Sequence, residues 1–174
     1  MIPADGNSAQ ATCACAQDGG RIFLFPGSFD PFTLGHASLV ERGLRLFDSI
    51  VIGVGVNEQK PGWIPAEERV EALRRLYADE PRVAVMAYSG LTVDFAAAIG
   101  ATGILRGVRT VADYQYEMNM ADINHRLAGL ETIVLFSAPE HAAISSSVVR
   151  ELAHFGRDIH EFLPKGLSYT SKAI

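Results

Sequence analysis

From Arg21 onward the chain alternates short, unbroken apolar runs with longer segments whose apolar residues recur every three or four positions. Residues 22–25, 50–56, 83–87, 103–105 and 132–136 are runs of the first kind. They are too short for helices and show no polar alternation, so they predict five strands buried on both faces. Segments of the second kind predict helices between them. One starts near Gly35 and places Leu39, Val40, Gly43, Leu44 and Phe47 on one side. Another begins at Pro65, whose missing N–H is no loss in a first turn, and aligns Val70, Leu73, Leu76 and Tyr77. Residues 92–99 form a short helix closed by Gly100, residues 110–127 the longest one, and residues 146–155 a helix stopped by Gly156. Strands and helices in alternation predict an α/β fold, a single-domain Rossmann-like arrangement with a five-stranded parallel sheet and helices on both faces. In such sheets ligands bind beyond the carboxyl ends of the strands, which directs attention to the loops that follow them.

Composition narrows the chemistry. A chain of 174 residues that is 48% hydrophobic and 20% charged has the make-up of one globular domain. A formal net charge of −5 argues against a basic surface for nucleic acid, so phosphate would have to be met by single cations in particular loops. No apolar run approaches the roughly 20 residues that cross a bilayer, which predicts no membrane partner. Residues 1–20 are small and polar, without the charged and apolar regions of a signal peptide. They read as a flexible leader before a domain over 21–174, and a cytoplasmic location is expected. Cys13 and Cys15 lie in that leader, too few for a structural zinc site, and are assigned no function.

The loop after the first strand runs from Pro26 through Gly27, Ser28, Phe29, Asp30, Pro31, Phe32, Thr33, Leu34 and Gly35 to His36. Gly27 lets backbone approach a ligand, Ser28 offers a hydroxyl and an N–H, and His36 falls at a helix N-terminus, where free N–H groups attract phosphate. A histidine alone at such a place usually caps or packs. Here it is joined by others: Lys60 after the second strand, Thr92 at the helix after the third, and Arg106-Gly107-Val108-Arg109 at the end of the fourth. Arginines near a core need an anion, for which phosphate is the natural partner. Asp113 and Glu117 then share a helix face, and Ser145, Ser146 and Ser147 open the last long helix with three hydroxyls and free N–H groups. Gly53 and Gly55, an isolated GxG within a strand, read as close packing. His125, His154 and His160 read as surface or packing residues.

Thr33-Leu34-Gly35-His36 with its preceding Gly-Ser-Phe-Asp-Pro resembles the T/HxGH signature of the nucleotidylyltransferase superfamily. Lys60 before Glu67-Glu68-Arg69, RGxRxxxDYxYE over 106–117 and ISSSxVR over 144–150 together resemble the phosphopantetheine adenylyltransferase family. The chain departs from that family's usual pattern at Pro61-Gly62-Trp63 and at Gln115. The resemblance implies transfer of the adenylyl group of ATP to 4′-phosphopantetheine, giving dephospho-coenzyme A and pyrophosphate. It implies His36 as transition-state stabiliser, with Lys60 and Arg106 holding the acceptor phosphate aided by Ser28 and Thr92. Ser28, Phe29, His36, Gly107, Val108, Arg109, Glu117, His141, Ala142, Ala143, Ile144, Ser145, Ser146 and Ser147 would line the ATP site. The acceptor phosphate is itself an anionic nucleophile, so no general base is required. Mg²⁺ is expected to arrive on ATP, with no metal site of the protein's own. A homohexamer and feedback binding of coenzyme A are further implications. The alternatives are a nicotinate mononucleotide adenylyltransferase, which usually carries HxGH where this chain has Thr33, and a catalytically silent nucleotide-binding regulatory protein.

Overall fold

The structure is a computed structural model that describes residues 20–57, 59 and 62–170. The leader with Cys13 and Cys15, and also Lys60, lie outside the described residues.

Five strands form one parallel sheet in the order β3-β2-β1-β4-β5. They are β1 (Ile22–Gly27), β2 (Ser49–Gly55), β3 (Val83–Tyr88), β4 (Gly103–Val108) and β5 (Glu131–Phe136). The helices between them are α1 (Leu34–Gly43), α2 (Ala66–Leu76), α3 (Thr92–Ala98) and α4 (Val111–Ala128), and α5 (Ser146–His154) follows β5. Alternate residues of a strand point to opposite faces, and β1 shows why its run is apolar throughout. Phe23 and Phe25 join Leu39 and Val40 of α1, Leu73 of α2 and Val149 of α5 in the larger core. Ile22 and Leu24 join Val93 and Ala96 of α3 on the other face. α4 packs against α3 and along β4 and β5, so both faces of the sheet are covered.

The strand order places the site. From β1 the chain moves outward through β2 to β3, then returns to the other side of β1 with β4. The loops leaving β1 and β4 therefore diverge to opposite faces and open a crevice between them, the switch point at which such sheets bind ligands.

Two boundaries differ from the pattern of apolar residues. α1 ends at Gly43, and Phe47 reaches the core from the following turn, where its ring stacks on Phe23 at 3.7 Å. β4 continues past Leu105 to Val108, so Arg106 and Gly107 are strand residues paired with Val134 and Leu135. The apolar run breaks at Arg106 because a charge interrupts it, but the backbone ladder does not. Among the described residues no helix is long and apolar enough to cross a membrane.

Gly107 is needed for a close approach. A Cβ added there would overlap the Cδ1 of Leu39, which is buried where α1 crosses β4. Gly107→Ala is expected to lower stability by about 1–3 kcal/mol through overpacking, measurable as a reduced urea midpoint with an unchanged slope.

Candidate active site

The loop of residues 28–33 carries the first part of the site, and its shape comes from side chains beneath it. Phe29 has φ 49, a left-handed conformation uncommon for a residue with a side chain, and is almost fully buried. Its ring sits under Gly27, where an added Cβ would lie 2.9 Å from Phe29 Cζ. Asp30 is buried, and its carboxylate accepts from Trp63 N–H at 2.7 Å and Ile64 N–H at 2.8 Å. Arg69, also buried, donates to Ile64 O at 2.9 Å and to Ser28 O. Ser146 Oγ donates to Pro31 O at 2.8 Å, and Arg150 donates to Asp30 O. The loop is thus tied to α2 and α5 through its own backbone.

Thr33 is the N-cap residue of α1 and His36 its third helical residue. Thr33 N–H donates to His36 Nδ1 at 3.0 Å, and the Thr33 hydroxyl lies 3.0 Å from the same nitrogen. A nitrogen that accepts an N–H bond carries no proton, so neutral His36 has its hydrogen on Nε2, the ring position left to act as a donor. The imidazole is half-buried and walled by Phe25, Phe29 and Phe32, with ring centroids at 6.2, 5.2 and 5.3 Å. That apolar wall, aided by the charges of Arg109 and Arg106, pushes its pKa down to about 4. The site therefore presents a fixed, uncharged N–H donor at neutral pH.

Arg106 projects from β4 into the crevice. Its Nε and Nη2 grip the two oxygens of Glu117 at 2.8 and 2.5 Å, and Nη1 donates to Pro26 O at 2.6 Å. The Glu117 side chain is only 8% exposed, so the pair is held largely out of water. Arg109 pairs with Asp113 nearer solvent and through one oxygen, its backbone N–H and Nε donating to Asp113 Oδ2 at 3.1 and 3.2 Å. Both arginines expected to seek phosphate thus already hold a carboxylate from the first turns of α4. A guanidinium beside a core needs an anion whether or not ligand is present.

Two cavities meet at this ion pair. The smaller, about 320 Å³, is lined by Ser28, Phe29, Gly35, His36, Gly107, Arg109, Ile144 and Ser145 to Ser147. The larger, about 740 Å³, is lined by Asn57, Tyr88, Thr92, Tyr116, Met120 and Asn124. Gly27, Ser28, Arg106 and Glu117 line both and form the wall between them. The sequence reading missed Tyr88, whose hydroxyl lies 3.0 Å from Thr92 Oγ1, and the stripe of Tyr116, Met120 and Asn124, whose four-residue spacing on α4 is the signal that could have found it.

The serine cluster differs from the expected cradle of hydroxyls. Ser145 Oγ caps Val148 N–H at 3.1 Å, Ser146 Oγ is bound to Pro31 O, and Ser147 Oγ lies 3.2 Å from Arg150 Nη2. The hydroxyls hold the fold, and backbone N–H groups of Ser146 and Ser147 remain as donors in the first turn of α5. Val108, His141, Ala142 and Ala143 do not line the smaller cavity. Val108 is buried, and His141 packs beside Gly35 with its Nδ1 buried and unpartnered among the described residues. His125 and His160 pair with Glu131 and Asp158 at the surface, and His154 packs on Phe155.

Glu117→Ala leaves the Arg106 charge partly buried without its partner and is expected to cost about 3 kcal/mol. Asp113→Ala, removing the more exposed pair, is expected to cost under about 1 kcal/mol in the same urea titrations. His36 titrates near 4 in the fold and near its ordinary 6.5 when unfolded, so on acidification the unfolded chain takes up the proton first. Its contribution is complete above the unfolded value and is lost as pH falls toward 4. Between about pH 7.5 and about pH 4.5 the protein should lose on the order of 2 kcal/mol more stability than His36→Gln does.

The cytidylyltransferase-like family model matches residues 24–152. Relatives named phosphopantetheine adenylyltransferase include one from Phocaeicola vulgatus, 56% identical over 84% of this chain and 97% of its own length. One from Bacteroides thetaiotaomicron is 53% identical over the same shares, and one from Porphyromonas gingivalis is 50% identical over 84% of this chain and 95% of its own. Among solved structures, a bifunctional NMN adenylyltransferase/ADP ribose pyrophosphatase from Francisella tularensis superposes with a TM-score of 0.63 at 14% identity. That match covers 83% of this chain but only 45% of the longer protein, and it speaks for the fold alone. With identity above half across nearly the full length of its relatives, the chain belongs to the phosphopantetheine adenylyltransferase family of cytidylyltransferase-like proteins.

Proposed function

We propose that the protein transfers the adenylyl group of ATP to the phosphate of 4′-phosphopantetheine by direct in-line attack. A phosphate oxygen of the acceptor forms a bond to the α-phosphorus of ATP as the bond to the β-phosphate oxygen breaks. Pyrophosphate leaves, and dephospho-coenzyme A remains. The observation that carries this reading is the meeting of two cavities at Ser28 and Arg106, within reach of a loop that fixes His36.

ATP occupies the smaller cavity, with Gly107, Arg109 and the N–H groups of Ser146 and Ser147 on its phosphates. The acceptor lies in the larger one, its phosphate held at the dividing wall by Arg106 and Ser28 with Thr92 nearby. The family resemblance assigns Lys60, which follows β2 in the sequence, to the same phosphate. Two anions must be brought together, so catalysis consists of alignment and charge compensation. Arg106 keeps N–H groups beyond those used on Glu117 and Pro26, which supports this role. The Nε2–H of His36 donates to charge that builds at the α-phosphate, and the ring stays neutral near pH 7. Mg²⁺ enters as part of the nucleotide substrate and neutralises phosphate charge.

Assembly and regulation extend the same reading. Val111, Tyr114, Met118, Leu127 and Phe136 are large apolar residues exposed on α4 and the end of β5. Such a surface supports self-association, and the family resemblance gives six copies as its expected number. The family resemblance gives coenzyme A, which contains both halves of the product, as a feedback ligand, and the adjoining cavities support that reading. The substrates are those of a cytoplasmic enzyme.

The test is pyrophosphate release from Mg·ATP with 4′-phosphopantetheine, run beside nicotinate mononucleotide. Turnover with phosphopantetheine alone is expected, and His36→Ala should lower kcat by about 10²–10³-fold. Turnover with only the mononucleotide would overturn the assignment of the acceptor.

A further inference from the structure

The chain beyond α5 is not reached by any of the sequence motifs, yet its described residues pass beneath the catalytic loop. After a short 3₁₀ turn at His160–Phe162 it runs back across α2. Ile159, Leu163 and Leu167 are buried in the larger core, with Phe162 and Tyr169 packed against it. Arg75 of α2 donates to Ser168 O at 3.2 Å, and Glu68 accepts from both the N–H and the hydroxyl of Thr170. Between these two attachments the Tyr169 hydroxyl accepts from Phe32 N–H at 3.1 Å. Burial pushes the phenol up to about 12, so it stays neutral.

Phe32 is fully buried, and without that oxygen its N–H would face the core unpaired. Its ring lies 5.3 Å from the His36 imidazole at an interplanar angle of 32°. The next amide, Thr33 N–H, is the donor to His36 Nδ1. Tyr169 therefore holds one amide, the following amide holds the imidazole, and the ring between them packs on that imidazole.

The geometry points to Tyr169 as a positioning residue for adenylyl transfer: acting through Phe32, its hydroxyl sets the orientation and the Nε2–H tautomer of His36. Tyr169 is then the brace of the catalytic loop, in a segment whose other buried residues, Ile159, Leu163 and Leu167, serve the core. This inference rests on the role given above to His36.

Tyr169→Phe keeps the ring and removes the acceptor. Its kcat is expected to fall about tenfold while KM for Mg·ATP and for phosphopantetheine stays within about twofold. In ¹⁵N-histidine spectra the two ring-nitrogen signals of His36 should move toward each other as the fixed tautomer is lost. Leu167→Ala loosens the packing of the same segment without touching Phe32 N–H. It should lower the melting temperature at least as much and leave kcat and the His36 signals as in the parent. A folded Tyr169→Phe protein with either readout unchanged would overturn the proposal, as would an equal loss of kcat in Leu167→Ala. If His36→Ala retains full activity, the role of His36 fails and this inference with it. If His36→Ala is impaired and Tyr169→Phe is not, only the brace fails.

Discussion

A loop that approaches a polyphosphate must leave its outward N–H groups for the ligand, so its other backbone groups need partners from elsewhere in the fold. Residues 28–33 meet that constraint one group at a time. Ser28 O is taken by Arg69 of α2, Asp30 O by Arg150 of α5 and Pro31 O by Ser146, while Phe32 N–H is taken by Tyr169. The Asp30 carboxylate adds a further tie to the backbone at Trp63 and Ile64. Together these side chains hold a loop with a left-handed Phe29 and an oriented His36. The core below the sheet's carboxyl edge exists in part to anchor them.

The second organising interaction is charge pairing across the crevice. Arg106 and Arg109 are three apart on β4 and its exit, and Asp113 and Glu117 are four apart on α4. The four form two ion pairs, Arg106 with Glu117 and Arg109 with Asp113, which keeps two guanidinium groups near a core while the overall charge stays negative. A phosphate arriving there finds donors already oriented by carboxylates, not flexible cations that must first be ordered. That arrangement suits a reaction in which position matters more than proton transfer.

The five strands and five principal helices were legible because the sheet is parallel and doubly covered, which makes every strand an apolar run. The site was legible at His36, Arg106 and the serine cluster because their motifs are local. What the residues alone did not disclose lies at longer range. Glu117 reads as one acid on a solvated helix face until β4 is seen running beneath it. The three serines read as a cradle, but the Ser146 hydroxyl is engaged by Pro31, a partner 115 positions away that only the fold brings near. The end of β4 was misjudged because a charge within a strand is invisible to hydrophobic periodicity when its partner comes from a helix. Tyr169 carries no signal at all, since its contact with Phe32 spans 137 positions.

The shared wall of the two cavities has a consequence for turnover. Substrates enter as separate molecules, each held by one compartment, but on the proposed reading dephospho-coenzyme A straddles both once pyrophosphate has left. A joined molecule pays the translational cost of binding once where two separate ones pay it twice, so this product gains a chelate advantage that neither substrate had. Escape then requires both ends to let go together. The architecture that makes bond formation easy thus makes release the demanding part of the cycle, and a molecule resembling the joined product inherits the same grip.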